Sequence, residues 1–318
     1  MAKTDVVLKV LLFLTLLGKL ASTNLPPSVA ANLNPPGKTE ADATLAQGEA
    51  YEGKKQFKEA TDSYMQVAHL SPSKHVKLAS QLGLVRCYLE LGDQKKALAG
   101  ATGLLNQRPP VDADTRCILY LLRGNCYKRS EQWQSAIDDF QQAVNCPATK
   151  EAALYGMAES YHGLKRFRLA LTRISEVTWM NPNNAGAFKL RGTWWYQLAK
   201  YGEARADYSM VLKLGRNEAE VYARRGDCNR QMGDKEAALD DCAQAIRINP
   251  ADPIGFKIRA RVYYDIGDDE GALADLNKAI ALSPRDRKLY MQRAAVYDDM
   301  KETALAAQDR EFAKSLSH

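Results

Sequence analysis

The chain has 318 residues, of which 46% are hydrophobic and 26% are charged. This composition is ordinary for a packed, water-facing protein, and it excludes a disordered chain, a collagen and a multi-span membrane protein. The formal net charge of +6 permits an acidic partner. It is small beside the charge of most nucleic-acid-binding proteins, so charge alone does not define a function.

The N-terminal residues 1–23 differ from the rest of the chain. Lys3 and Lys9 precede a nine-residue apolar run from Val10 to Gly18, and small residues follow this run. These features are typical of a signal peptide, and nine apolar residues are few for a bilayer span. We expect a signal peptide or an anchor that tethers the chain to a membrane through residues 6–20. The protein would then be exported or membrane-tethered; the alternative is a cytoplasmic protein with an unusual leader.

The sequence carries none of the common motifs of catalysis or metal binding. Its four His and six Cys are scattered, with no C-x-x-C, no H-E-x-x-H, no glycine-rich nucleotide loop and no G-x-S-x-G. We therefore expect no enzyme activity, no catalytic residues, no cofactor, no metal site and no small-molecule substrate.

A repeat begins after residues 24–40, whose two Pro-Pro pairs predict an extended tether. Eight segments align, with starts at residues 41, 78, 117, 151, 185, 219, 253 and 287, and the last five intervals are all 34 residues. Numbered from each start, repeat position 20 is Ala in every segment, position 8 is mostly Gly or Ala, and position 11 is aromatic in seven of eight. Small side chains at two such positions predict a pair of closely packed antiparallel helices in each repeat. Gly-Asp pairs such as Gly92-Asp93 predict the end of one helix and the N-cap of the next.

This pattern resembles the tetratricopeptide repeat family over residues 41 to about 316. The first repeat carries the resemblance at Gly48, Tyr51, Ala60, Tyr64 and Pro72. The resemblance implies an all-α fold, an α-solenoid in which antiparallel helix pairs form a right-handed superhelix across a single array at residues 41–318. It also implies a concave face, lined by the first helix of each repeat, that binds another protein. The clamp with which some members hold a chaperone C-terminus is not matched here.

One pair of repeat positions varies together. Position 7 is Arg and position 23 is Asp in the same five repeats, the third and the fifth to eighth. Shared ancestry of the repeats explains part of this, and we predict structural ion pairs, either within a repeat or from Asp to the Arg of the next repeat. The residues are Arg123 and Asp139, Arg191 and Asp207, Arg225 and Asp241, Arg259 and Asp275, and Arg293 and Asp309.

The positions that line the concave face in the family are basic and aromatic here from the fourth to the seventh repeat. They predict a groove for an extended, acidic protein segment, although acidic residues interrupt the row and a solvated helix face is the alternative. The predicted binding residues are Tyr155, Lys189, Tyr196, Arg224, Arg230, Lys257, Arg261 and Tyr264.

The leading prediction is a non-catalytic scaffold or adaptor that binds another protein. One alternative is a protein that binds nucleic acid or another polyanion, which the modest charge and the N-terminal segment disfavour. A second is a luminal protein that binds substrates like a co-chaperone but lacks a J domain. Four cysteines share packing positions and are predicted to be buried thiols. Cys117 and Cys146 open and close the third repeat and are the one pair that export could join in a disulfide; the sequence leaves open whether they are oxidised.

Overall fold

The computed structural model describes residues 39–70 and 72–316. The predictions for the signal peptide or anchor, and for the tether up to residue 38, lie outside the described residues. In the described part, no helix is both long enough and apolar enough to cross a bilayer.

The described residues form sixteen α-helices, two in each repeat. They are α1 (Glu40–Gly53), α2 (Phe57–Val67), α3 (Lys74–Glu90), α4 (Gln94–Asn106), α5 (Ala113–Arg129), α6 (Trp133–Ala143), α7 (Pro147–Gly163), α8 (Phe167–Met180), α9 (Ala185–Gln197), α10 (Tyr201–Lys213), α11 (Ala219–Gln231), α12 (Lys235–Ile248), α13 (Pro253–Ile266), α14 (Asp269–Leu282), α15 (Arg287–Asp299) and α16 (Thr303–Ser315). Odd-numbered helices are the first helices of the repeats and even-numbered helices are the second. The all-α fold of the prediction is confirmed.

The turn between the two helices has the same backbone shape in all eight repeats. Repeat position 15 has a positive φ each time, in the left-handed region that favours glycine. The residues there are Lys55, Gly92, Glu131, Lys165, Ala199, Gly233, Gly267 and Lys301. As predicted for the Gly-Asp pairs, Asp93, Asp234 and Asp268 follow as N-caps and accept a backbone hydrogen bond from the helix that each begins.

The first helices begin where the repeat predicts them in the later repeats but not in the earlier ones. Helices α9, α11, α13 and α15 begin at the predicted starts, residues 185, 219, 253 and 287. Helices α3, α5 and α7 are each 17 residues long and begin four residues before the predicted starts. Part of the longer spacing before the second and third repeats is therefore an added helical turn.

The core depends on rings that pack against glycine. Tyr64 and Phe140 are buried, at the same repeat position of α2 and α6. A Cβ at Gly48 or Gly83 would lie 2.6 or 2.5 Å from the nearest atom of the Tyr64 ring. Because no side chain fits there, the ring closes the space between its own repeat and the next.

By its contacts the chain divides into two compact units, residues 1–173 and 174–318. The described part of the first unit holds α1 to α7 and the start of α8. The second unit holds the end of α8 and α9 to α16. Within each unit, helices pack mainly on their neighbours in chain order, and several first helices also contact the first helix of the next repeat. This arrangement is that of an α-solenoid.

Candidate functional site

In five repeats an arginine of the first helix contacts an aspartate of the second helix of the same repeat. Each arginine donates hydrogen bonds from Nε and Nη2 to the two carboxylate oxygens, at 2.6–2.9 Å. The pairs are Arg123–Asp139, Arg191–Asp207, Arg225–Asp241, Arg259–Asp275 and Arg293–Asp309. All five aspartates are buried. Of the two arrangements that the sequence left open, the structure has the pairs within each repeat.

The five guanidinium groups also lie over aromatic rings of their own helix. The distance from the guanidinium carbon to the ring centroid is 5.4–5.9 Å. The rings belong to repeat positions 4 and 11, namely Tyr120, Tyr127, Phe188, Tyr222, Phe256, Tyr263, Tyr290 and Tyr297. Hydrogen bonds to the aspartates raise the pKa of Arg123, Arg225, Arg259 and Arg293 above the ordinary value.

Three of these arginines bind the preceding repeat as well, a contact that the sequence analysis missed. The Nη1 group donates to a hydroxyl or amide oxygen of the preceding second helix. The bonds join Arg191 to Ser175 and Thr178, Arg225 to Ser209, and Arg293 to Asn277. Ser175, Ser209 and Asn277 all occupy repeat position 25. The alignment of the repeats could therefore have predicted this contact.

Of the predicted binding residues, Tyr155 belongs to the first unit and lies half-buried on α7. Burial raises the pKa of its hydroxyl, and the nearby Glu159 adds to this. In the same unit, Lys128 of α5 reaches Glu159 of α7 at 2.5 Å, so an ion pair joins two successive first helices. Arg86 of α3 and Glu52 of α1 form a similar pair at 2.6 Å.

The other predicted binding residues belong to the second unit, where each cation has a carboxylate partner. Lys189 Nζ lies 2.6 Å from Glu218 and 2.8 Å from Glu220, and Arg224 Nε donates to Glu220 at 2.8 Å. Because of these bonds, first of all the one from Lys189, the pKa of Glu220 is below its ordinary value. Lys257 pairs with Asp286 at 2.8 Å.

Asp227 of α11 is the centre of a small network in the second unit. It is buried and accepts hydrogen bonds from Arg230 Nε at 2.8 Å, from Arg261 Nη1 at 3.3 Å and from the Tyr196 hydroxyl. Arg230 also donates to Asp265 at 2.7 Å. Burial, followed by the bond to Asp227, raises the pKa of Tyr196 to about 12. Three successive first helices, α9, α11 and α13, are joined through this one carboxylate.

These ion pairs and hydrogen bonds of the second unit lie on α9, α11, α13 and the start of α15, and we call this region the first-helix surface. Its five predicted cations contact five carboxylates, so its charge is balanced and not basic as the sequence suggested. The cations are Lys189, Arg224, Arg230, Lys257 and Arg261, and the carboxylates are Glu218, Glu220, Asp227, Asp265 and Asp286. Glu220, Asp227 and Asp265 were visible in the sequence as interruptions, but Glu218 and Asp286 were missed. Both are N-cap residues immediately before a repeat start, outside the positions that line the groove in the family. The remaining predicted residue, Tyr264, is 38% exposed, and the nearby Asp299 raises the pKa of its hydroxyl.

The cysteines fall into two groups. Cys117 and Cys146 form a disulfide that joins the fifth residue of α5 to the N-cap of α7. Cys87, Cys126, Cys228 and Cys242 are free and buried. Burial raises the pKa of the Cys126 thiol to about 11 and that of each of the other three to about 12. Within residues 39–70 and 72–316, no group of three or more His, Cys, Asp or Glu could hold a metal ion.

One repeat of the chain matches a known family model, and part of the chain is similar to a known human protein. The family model described as tetratricopeptide repeat matches residues 219–252. RNA polymerase II-associated protein 3 from Homo sapiens is 25% identical over 114 residues, which are 36% of this chain and 17% of that protein. The chain therefore matches less than a fifth of this relative's length.

Two solved structures share the fold. A tetratricopeptide repeat protein from Parabacteroides merdae ATCC 43184 has a TM-score of 0.59 and 21% identity, covering 76% of this chain and 93% of that one. YrrB, described as a tetratricopeptide repeat protein with an unusual peptide-binding site, has a TM-score of 0.51 and 21% identity, covering 59% and 94%.

Pairs of helices with a 34-residue period, packed in chain order, define an α-helical repeat protein. The family model matches the sixth repeat, and the other seven share its frame and its two-helix structure. Residues 219–252 thus match a tetratricopeptide repeat, and the chain has the fold of tetratricopeptide repeat proteins.

Proposed function

We propose that this protein is a non-catalytic scaffold that binds an extended protein segment along the first-helix surface. The observation that carries the proposal is the continuous row of polar contacts from α9 to α11, α13 and the start of α15. Its side chains are held in place before a partner arrives, which lowers the entropic cost of binding. Tyr196 and Tyr264 add aromatic contact area. The peptide-binding site described for YrrB supports a partner of this kind.

The segment is proposed to be acidic, and it binds by exchange. Because the cations already contact carboxylates of the protein, carboxylates of the partner take their places. Arg261 exchanges most easily, since it makes a single bond of 3.3 Å to Asp227 and its side chain is 34% exposed. Arg230, by contrast, is 10% exposed and contacts two carboxylates. Since the surface is balanced in charge, long-range attraction contributes little and binding depends only weakly on salt.

The test compares Arg261→Gln with Arg247→Gln in the full chain, with a labelled hexaglutamate peptide followed by fluorescence anisotropy. Both variants remove one positive charge, but Arg247 lies exposed on the second helix α12. We expect R261Q to weaken binding about fivefold, which is the effect of an exposed ion pair worth ~1 kcal/mol. The affinity of R247Q for hexaglutamate should stay within about twofold of the wild type, because a surface charge away from the binding site contributes little.

Several results would contradict the proposal. Equal losses in the two variants would remove the first-helix surface as the binding site. Failure of the wild type to bind hexaglutamate, or equally tight binding of hexaglutamine, would remove the acidic chemistry. Tighter binding of a single-stranded oligonucleotide that is lost steeply with salt would favour a polyanion-binding protein instead.

We further propose that the protein works in an oxidising compartment, reached through residues 1–23. The disulfide between Cys117 and Cys146 supports this, because such bonds persist mainly in secreted proteins and in the lumen of the secretory pathway. The oxidation state of this pair in the protein from its native source separates export from a cytoplasmic location.

A further inference from the structure

The second repeat lacks the cluster that fills the same place in five other repeats. There, an arginine at repeat position 7 lies over an aromatic ring at position 4 and pairs with an aspartate at position 23. In the second repeat, Gln81, Leu84 and Gly100 occupy positions 4, 7 and 23. A ring, a guanidinium and a carboxylate are thus all replaced, and Val85 Cγ2 lies 2.9 Å from the place where a Cβ of residue 100 would be.

A cavity of about 310 Å³ lies at this place, between α3 and α4. Val85 and Leu104, both buried, and the half-buried Leu84 give it an apolar wall. On α4 the wall is formed by the backbone of Gly100 and Gly103. A Cβ at Gly103 would meet no atom within 4 Å, and this residue is exposed, so the cavity opens to solvent beside it.

We propose that this cavity binds one uncharged, apolar side chain of a partner protein, and that an aromatic ring fits it best. Charge decides the chemistry, because the aspartate of the other repeats is replaced by Gly100 and an entering guanidinium would lose its hydration without gaining a counter-ion. Gln81, Tyr88 and Gln107 also line the cavity, and none of the lining residues carries a charge. The volume is at the small end for ligand pockets and suits a single large side chain.

The apolar wall supplies the binding energy. Leu84, Val85 and Leu104 offer dispersion contacts, and the Tyr88 ring can pack against a second ring edge to face. An anchor residue that fills such a pocket is typical of the few side chains that dominate a protein interface. The contact lies in the first unit and does not depend on the first-helix surface of the second.

The test uses the full chain and N-acetyl-L-tryptophanamide, titrated while the methyl NMR signals of Leu84, Val85 and Leu104 are followed. Gly103→Leu fills the cavity from the open side. Gly202→Leu on α10 is the matched control, because a Cβ there also meets no atom within 4 Å. Both changes favour the helix, and Ala99→Leu, at another wall position, is a second filling variant.

We expect the probe to shift the Val85 and Leu104 methyl signals equally in the wild type and in G202L. G103L and A99L should each weaken binding about tenfold or more, which is the scale of one lost anchor. N-acetyl-L-argininamide should give no shift at the same concentration. The proposal is overturned if the wild type shows no shift, if G103L and A99L bind as well as G202L, or if the arginine probe binds as well as the tryptophan probe.

Discussion

At the scale of single residues, three of the five arginines at repeat position 7 make three kinds of contact at once. Arg225 binds both oxygens of Asp241, lies over the Tyr222 ring and donates to Ser209 of the preceding repeat. A side chain held on three sides has few donors left for a ligand. This arginine therefore has a structural role. The cations that can contact a partner are those of the first-helix surface.

The stability of the Asp241 pair is a balance of opposed effects. The two bonds to Arg225 favour the carboxylate, yet burial raises the pKa of the Asp241 carboxyl above its ordinary value. Desolvation thus offsets much of the attraction, as is usual for ion pairs away from water. Removing the charge on one partner still leaves the other without its counter-ion.

We predict that Asp241→Asn lowers the free energy of unfolding by about 2 kcal/mol, less than a fully buried pair would lose, because Arg225 is 26% exposed. The neighbouring Asp240 is exposed on the same helix, so Asp240→Asn is the matched control and should change stability by less than about 0.5 kcal/mol. Urea unfolding followed by circular dichroism measures both. Equal stability of D241N and D240N would mean that the pair does not stabilise the fold.

The sequence predicted the residues of these pairs because eight repeats in one chain act as their own alignment. It did not predict that Glu218 and Asp286 neutralise Lys189 and Lys257. A contact across a helix pair depends on repeat position and is visible in the repeat. A contact with an N-cap residue depends on where the chain enters the next helix, and the 34-residue frame does not record that.

At the scale of helices, capping residues fix where each helix begins. Ser73 and Asp112 accept backbone hydrogen bonds as the N-caps of α3 and α5, and Pro147 is the first residue of α7. Ser73 and Asp112 each lie five residues before a predicted repeat start, and Pro147 lies four residues before one. A capping side chain satisfies free N–H groups at the start of α3 and α5, and Pro147 has no N–H to satisfy at the start of α7, so each of these helices begins a turn early. The periodicity predicted which helices pair, while local capping chemistry set their length.

The positions of the six cysteines predict which of them react with a thiol reagent. Cys117 and Cys146 hold the ends of α5 and α7 together, whereas the four free thiols lie in the interiors of helices. With pKa values raised to about 11 and 12, these thiols have almost no thiolate at pH 8. We therefore expect Ellman's reagent to react with no thiol of the folded protein, four in guanidinium chloride, and six after reduction.

Protein purified from its native source without a reducing agent is the sample for this count, and the same protein after reduction is its control. Six reactive thiols in guanidinium chloride before reduction would contradict both the bond and the proposed oxidising compartment. Reaction of any of the four buried thiols in the folded state would show that their helices open more readily than their burial indicates.

At the scale of the whole molecule, stability is built repeat by repeat. Among the described residues the main contacts join helices that are neighbours or next neighbours in the chain, so each repeat is supported chiefly by the repeats beside it. The Arg–Asp pairs are not spread evenly. The fifth to eighth repeats all have one, whereas the first, second and fourth have none. The repeats that carry the first-helix surface are thus also repeats that each contain an Arg–Asp pair.

This distribution predicts a gradient of local stability that hydrogen exchange measures. Amides of α11 to α13 should exchange at least about tenfold more slowly than those of α1 to α4, since one pair worth more than ~1.4 kcal/mol changes an opening equilibrium tenfold. The cavity beside Gly100 adds to the difference, because missing contacts weaken the α3–α4 pair.

Asp241→Asn then tests how far a local change travels. In an array held by neighbour contacts, the variant should speed exchange in α11, α12 and the adjoining helices while α1 to α4 keep their wild-type rates. Asp240→Asn should leave all rates unchanged. A uniform increase over every helix in D241N would instead mean that the chain opens as one cooperative unit, in which case the pairs stabilise the molecule as a whole and not the repeats that contain them.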